Sequence, residues 1–498
     1  MAQQRFGGGR NSADETPKVK ITRENFRQAL VIFKYLRPYR WHFIAGLCFI
    51  ALSSGTTLSY PYLLKKLIDS ANALSKGLSA INPGTIALWM GGILLVQIIF
   101  SYLRVYLFTY TGEHALADLR RDVYQRLIQL PMEFFAQRRV GELSSRISAD
   151  LSQIQDALTS MLAEILRGVL TLIIGIGLIL YISPKLTLLM LSIIPAIVVI
   201  AVLFGKKIRK LARQSQDQLA DSNTIVQETL QGISNVKAFS NEWFEIGRYT
   251  KSLRQVVQLA VRNGKVRGLF VSFMVFSLFG SIILVVWNGV GLMQRGQLSF
   301  GDLTAFVIYT TFVGGSMAGF ADLYSQLQKT LGATQRVREL LKEEKESVTT
   351  EDEPVQEAFR LLGSVELRHI AFAYPSRKEI KVLRDVSILA NPGEQIALVG
   401  PSGAGKSTLA SLLLRFYDPD EGELLYDGRN ASDIPLSQLR KQMALVPQDV
   451  LLFGGTIREN IAYGKPSASM QEIESAARQA NAHEFISGFP EAYETVVG

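Results

Sequence analysis

Gln395-Ile-Ala-Leu-Val399-Gly400-Pro-Ser-Gly-Ala-Gly405-Lys406-Ser407-Thr408-Leu-Ala-Ser-Leu-Leu-Leu-Arg415 is the stretch whose reading decides the fold. A strand-like run at 395–399 enters a glycine-rich loop, and a helix-like run at 408–415 leaves it. That order is the setting that Gly-x-x-x-x-Gly-Lys-Ser needs in order to be a phosphate-binding P-loop. Glycines let backbone N–H groups wrap phosphates, and the helix N-terminus adds the positive end of its dipole. Lys406 is expected to reach the β- and γ-phosphates of ATP, and the Ser407 hydroxyl to ligate Mg2+. The candidate nucleotide-binding set is Gly400, Ser402, Gly403, Ala404, Gly405, Lys406, Ser407 and Thr408.

Around the loop, residues 363–498 read as short β-type runs with Gly and Pro turns. Before them, the charged run at 342–362, with Lys342-Glu-Glu-Lys-Glu-Ser and Glu351-Asp-Glu-Pro354, reads as a solvated linker. The rest is far more apolar. Of the 498 residues, 48% are hydrophobic and 19% charged, too apolar a balance for an ordinary soluble enzyme. Six stretches lack Asp, Glu, Lys and Arg: 43–64, 77–103, 168–183, 186–205, 268–294 and 303–321. A spanning helix needs about 20 apolar residues, so the third is short and should borrow its first turn from the segment holding Arg167, whose long stem can reach the interface. The expected spans are 42–64, 85–108, 164–183, 186–206, 268–294 and 302–325, within a transmembrane domain at 21–341. Residues 1–20, with Gly7, Gly8 and Gly9, read as a flexible tail. The net charge of +9 comes from basic residues spread between apolar segments. That is a membrane pattern, so no nucleic-acid partner is expected. The single cysteine, Cys48, excludes an internal disulfide.

The connections alternate in Lys and Arg content. Residues 1–40 hold nine, 65–85 three, 110–160 six, 183–185 one and 205–268 twelve, and Arg295 stands alone in the next. Positive loops stay inside, which places the N-terminus, both long loops and the C-terminal region in the cytoplasm. Phe26, Ala29, Leu30, Phe33 and Leu36 suit either a short interfacial helix or an amphipathic lead-in to the first span. No proline lies between Pro83 and Pro131, nor between Pro195 and Pro354. Because proline breaks helix interiors, both intervals can form helices longer than a bilayer and project into the cytoplasm.

These features together resemble the exporter-type ATP-binding-cassette transporters, in their multidrug and lipid flippase branch. Further residues carry the resemblance: Ala371-Phe-Ala-Tyr374-Pro-Ser, Val446-Pro-Gln448-Asp, Leu452-Phe-Gly-Gly-Thr-Ile-Arg-Glu-Asn460-Ile-Ala-Tyr-Gly464, Phe134-Phe-Ala-Gln-Arg-Arg-Val-Gly141-Glu-Leu-Ser-Ser-Arg146-Ile and Val236-Lys-Ala-Phe-Ser-Asn-Glu-Trp-Phe-Glu245. The resemblance implies that Tyr374 stacks on adenine and that Gln448 senses the γ-phosphate and Mg2+. It also implies that the last two segments are the coupling helices. The implied fold is multidomain: an all-α six-helix transmembrane domain followed by an α/β P-loop nucleotide-binding domain. The implied function is ATP-driven export or flipping of a hydrophobic or amphipathic substrate, by alternating access of a dimer of half-transporters in the lipid bilayer. A homodimer is expected in preference to a heterodimer.

The sequence departs from that family where a Leu-Ser-Gly-Gly-Gln signature, an apolar strand ending in Asp-Glu and a switch histidine would stand. None occurs, and His42, His114, His369 and His483 do not take the last place. The expectation is a nucleotide-binding domain represented by its N-terminal part, with no catalytic residue within 1–498 and no hydrolysis by that polypeptide alone. A nucleotide-gated channel or regulator on the same scaffold, and a non-hydrolysing nucleotide-binding membrane fragment, are the alternatives. In the sixth span, Thr304, Tyr309, Thr310, Thr311, Ser316, Gly314, Gly315 and Gly319 either line a cavity or pack at helix contacts. The lack of an Arg- and Ser-rich leader favours a bacterial plasma membrane over an organellar one.

Overall fold

The structure is a computed structural model that describes residues 30–78, 81–138, 140–346, 360–448 and 451–498. The expected tail at 1–20 and most of the charged linker lie outside the described residues. The chain divides into two compact units: Met1–Leu130 with Arg138–Glu344, and Pro131–Gln137 with Lys345–Gly498.

The first unit is helical. A 3-10 helix, Leu30–Tyr39, leads into α1 (Arg40–Ser75), followed by α2 (Pro83–Ile128). The short α3 (Met132–Ala136) belongs to the second unit, and the first resumes with α4 (Val140–Asp156) and α5 (Leu162–Ile182). The remaining helices are α6 (Pro184–Gln231), α7 (Ile233–Ala238), α8 (Glu242–Gln294) and α9 (Phe300–Lys342). Six helical stretches are long and apolar enough to cross a membrane. A π-helical turn at Ala157–Met161 joins α4 to α5, so the third span continues back into a longer rod, as its shortness demands. α6 and α8 contain 48 and 53 residues. At about 1.5 Å per residue they run to roughly 70–80 Å, more than twice the bilayer core of about 30 Å.

The second apolar stretch does not begin at Gly77. α1 ends with the Lys76 N–H bonded to Ala73 and Leu74 carbonyls, and Gly77 takes a φ of +71° to turn the chain. α2 starts at Pro83, where the Asn82 side chain accepts from the Gly84 N–H at 2.8 Å. The next turn is tighter. Ser183 alone separates α5 from α6, and its hydroxyl accepts from the Leu186 N–H at 3.4 Å.

Burial follows a lipid solvent rather than water. Leu88, Trp287 and Phe276 are 77%, 73% and 77% exposed. A continuous apolar exterior on helices whose backbone bonds are internally satisfied is what a bilayer selects. The helices pack through Leu58, Ile179, Leu186, Met190, Val285, Leu303 and Phe306, with Tyr309 among them donating its hydroxyl to the Leu58 carbonyl at 2.6 Å. Gly175 and Gly289 sit against Val313 and Leu303, with no room for a Cβ. Lower on the rods, Asp150 of α4 is buried and holds Arg336 of α9 through both carboxylate oxygens, Nε to Oδ2 at 2.8 Å.

The second unit contains an antiparallel sheet in the order β2 (Lys381–Ala390), β1 (Val365–Ala373), β3 (Glu421–Tyr426), β4 (Arg429–Asn430). Leu367, Ile370, Phe372, Leu383, Leu424 and Tyr426 from this sheet pack on Leu409 and Leu412 of α10 (Lys406–Leu413) and on Leu439. A second cluster, Ile473, Ala477, Ile486 and Tyr493, joins the C-terminal helices. The expected strand at 395–399 forms no ladder among the described residues, and Val399 is 89% exposed. The apolar segment 444–448 is likewise unpaired, with Val446 91% exposed. A strand is held by the hydrogen bonds of its neighbours, and the antiparallel sheet offers none to either run. The 3-10 helix Leu30–Tyr39 covers the described part of the expected lead-in, and Phe26 and Ala29 lie outside the described residues.

Candidate functional site

The glycine-rich loop stands between the unpaired run and α10. Gly405 adopts φ +92°, and a Cβ there would fall 2.7 Å from Leu383 Cδ2, so glycine is required on both conformational and steric grounds. Gly403 at φ +85° makes the turn that precedes it. The first helical bond of α10 is Leu409 N–H to the Gly405 carbonyl at 2.9 Å. The N–H groups of Lys406, Ser407 and Thr408 precede that bond and point out of the helix end. Lys406 folds over the loop, its ammonium donating to the Gly400 carbonyl at 2.8 Å and the Pro401 carbonyl at 2.9 Å. The result is a concave run of donors with a cation across its mouth, the requirement for gripping a polyphosphate. Ser402, Ala404 and Ser407 are exposed around it. These donors fit ATP, and the free Ser407 hydroxyl fits one oxygen ligand of Mg2+.

The side chain of Thr408 is buried, and its hydroxyl shares a hydrogen bond of 2.9 Å with Tyr374. Tyr374 is thereby tied to the P-loop helix. Its ring meets Phe372 edge-on at 5.1 Å and Tyr417 edge-on at 5.4 Å. Gln448 is exposed at the end of the unpaired segment, and no described hydrogen bond brings it to Lys406 or Ser407.

Tyr417 was not among the sequence candidates. Burial raises its phenol pKa, with further contributions from Tyr374 and from the charge of Glu133. Glu133 belongs to α3, which lies in sequence between two spanning helices yet belongs to the compact unit of the nucleotide loop. Glu133, Tyr417, Tyr374, Thr408 and the P-loop helix thus form a connected series. Only the aromatic run Phe416-Tyr417 after the helix hinted at it in sequence. Tyr417→Ala is expected to weaken MgATP binding about two- to tenfold, by losing an edge-on aromatic contact of about 0.5–1.5 kcal/mol that holds Tyr374. Equilibrium binding of a fluorescent ATP analogue checks this, and an unchanged Kd would contradict it.

In the membrane unit, the polar residues of the sixth span divide between two roles. Tyr309 is core. Thr311, Gly315, Ser316 and Gly319 line a cavity of about 410 Å³. A Cβ added at Gly314, Gly315 or Gly319 would meet nothing within 4 Å, so among the described residues of this chain these glycines make no tight helix contact.

Comparison with known proteins agrees with this division of the chain. Residues 43–317 match the family described as ABC transporter transmembrane region, and 383–494 match that described as ABC transporter. The ABC multidrug transporter mdr2 of Aspergillus fumigatus is 34% identical over 95% of this chain and 60% of its own length. The mitochondrial ATP-binding cassette sub-family B member 10 of Mus musculus is 34% identical over 93% of this chain and 65% of its own. An ATP-dependent lipid A-core flippase of Dechloromonas aromatica is 33% identical over 94% and 79%. The chain therefore spans less than two thirds of the length of the first two. With six spanning helices preceding a glycine-rich phosphate loop, and both regions matched, the chain belongs to the ABC transporter family, in its exporter type.

Proposed function

We propose that this chain forms one half of a dimeric pump that uses MgATP to export or flip an amphipathic substrate. The observation that carries the reading is α3. A segment joining two spanning helices belongs to the unit that holds the phosphate loop. A change at the loop therefore has a covalent route to the membrane helices. Bound Mg2+ would supply charge neutralisation at the phosphates, and Ser407 with Gln448 are its proposed ligands. The work of the chain's own residues is to bind and orient: Lys406 grips the phosphates, and the Tyr374 ring is the proposed adenine platform.

A partner chain is favoured by the tip between α6 and α8. There Phe239, Trp243 and Phe244 are 74%, 82% and 68% exposed. Such a cluster suits docking against another protein, and a second copy of this chain is the proposed partner. Residues 1–498 hold neither a Leu-Ser-Gly-Gly-Gln run nor an apolar run ending in Asp-Glu, so purified 1–498 polypeptide is expected to release phosphate no faster than its Lys406→Ala variant, and a higher rate would contradict that.

The chain is an integral multi-pass membrane protein. The expectation of a bacterial plasma membrane finds no support in the comparisons, since relatives of equal identity are named as mitochondrial. The proposed orientation puts the nucleotide-binding unit on the side of the positive loops. Protease added to inverted vesicles should cut at 343–353, while sealed right-side-out cells should protect it. Cleavage from outside intact cells would contradict the orientation. The reading itself is tested by ATP-dependent accumulation of a labelled amphiphile against its gradient in reconstituted vesicles of the full-length protein. Flux that only dissipates a gradient would instead favour a nucleotide-gated channel.

A further inference from the structure

The membrane unit encloses a charge imbalance that its own residues do not resolve. The cavity of about 410 Å³ is lined by Arg104 of α2 and by Glu164 and Arg167 of α5. Arg167 donates to Glu164 Oε2 at 2.5 Å, and Arg104 stands 3.8 Å from Glu164 Oε1. Two guanidinium groups thus share one carboxylate, which leaves an excess of one positive charge. The polar atoms show the same deficit. Arg104 Nε and Ser54 Oγ are buried, have no hydrogen-bond partner among the described residues, and belong to side chains lining this cavity. Ser54 is 4% exposed. Buried donors are costly to leave unpaired, and an acceptor bearing negative charge would relieve both.

Depth gives the source of that acceptor. Within the expected spans 85–108 and 164–183, Arg104 and Arg167 stand four and three residues from the ends on the positive-loop side, about 5–6 Å at about 1.5 Å per residue, which is the headgroup level of that face. Ser54, ten residues from the far end of the span 42–64, lies deeper in the same cavity. Phe312 and Leu323 supply apolar wall, and Gly315 and Gly319 keep the space open.

We infer that this cavity binds the anionic headgroup, phosphate or carboxylate, of an amphiphile drawn from the leaflet on the nucleotide-binding side. Arg104 and Arg167 meet its charge, and Ser54 supplies a hydrogen bond. The inference rests on the orientation and export reading above, and gives its substrate class.

The test is equilibrium binding to the full-length protein in neutral detergent, with two tail-labelled probes of identical chains, phosphatidylglycerol and phosphatidylcholine. MgATP affinity is measured on the same samples, so that failure of this inference leaves a separate reading on the nucleotide site. Phosphatidylglycerol should bind about tenfold more tightly, a difference of about 1.4 kcal/mol. Arg104→Gln and Arg167→Gln should each abolish most of that preference, while Arg167→Lys keeps part of it. Glu164→Gln should increase the preference, because it removes the competing carboxylate, and a misfolded variant cannot produce that gain. Equal affinity for the two probes would overturn the inference, as would a preference that survives both Gln variants. Displacement of the probe by inorganic phosphate at matching concentration would overturn it in favour of a free-anion site.

Discussion

Lys406→Ala in the full-length protein should lower ATP turnover by about 10²–10³, the usual cost of removing one preorganised donor from developing charge. Lys406 is the cation across the loop, bonded in its present state to the Gly400 and Pro401 carbonyls at 2.8 and 2.9 Å. Those carbonyls hold the ammonium where a β- or γ-phosphate oxygen would replace them. MgATP affinity should fall with turnover, whereas AMP affinity should not change, because AMP has no phosphate at that depth. Isothermal titration with both nucleotides separates the two. A parallel loss for AMP would mean that the variant had lost the loop itself, and unchanged MgATP affinity would mean that Lys406 does not reach the phosphates.

Asp150→Ala should cost about 3–5 kcal/mol of stability, the range seen when one partner of a buried pair is removed. Asp150 is 6% exposed and meets Arg336 through both oxygens. The variant takes both hydrogen bonds from the Arg336 guanidinium and leaves it only the more distant charge of Glu339. Asp150→Asn keeps an acceptor and should cost less. Asp150→Ala combined with Arg336→Leu should recover part of the loss, since two apolar residues leave no buried charge. The thermal unfolding midpoint in detergent orders these variants. A midpoint equal to that of the parent chain for Asp150→Ala would show the pair to be inert.

The parts of this structure that sequence made legible are those decided locally. Six spans, the long rods beyond them and the P-loop follow from apolar runs, missing prolines and a glycine pattern set over eight residues. What could not be read depends on partners far along the chain. Asp150 and Arg336 lie 186 positions apart, and neither sequence context marks it as paired. Thr408 reads as a residue of the phosphate set, and only the fold shows its hydroxyl bonded to Tyr374, 34 positions away. Residues 395–399 have the composition of a strand, but a strand requires a neighbour, and the described residues supply none. The glycines of the sixth span were ambiguous because small residues serve tight helix contacts and open cavities equally well. The space around Gly315 and Gly319 decides for the cavity.

The central claim is that nucleotide binding reaches the membrane helices through the segment Pro131–Gln137. Phe134 is the buried residue of that segment, 7% exposed. The direct measurement is ATP-driven accumulation of a labelled amphiphile in vesicles containing the full-length Phe134→Asp variant, with MgATP affinity determined on the same preparation. The account predicts that MgATP affinity stays within about twofold of the parent while accumulation falls at least about tenfold, because a buried carboxylate, which is costly without a partner, displaces α3 without touching Lys406. Accumulation at the parent rate would contradict it.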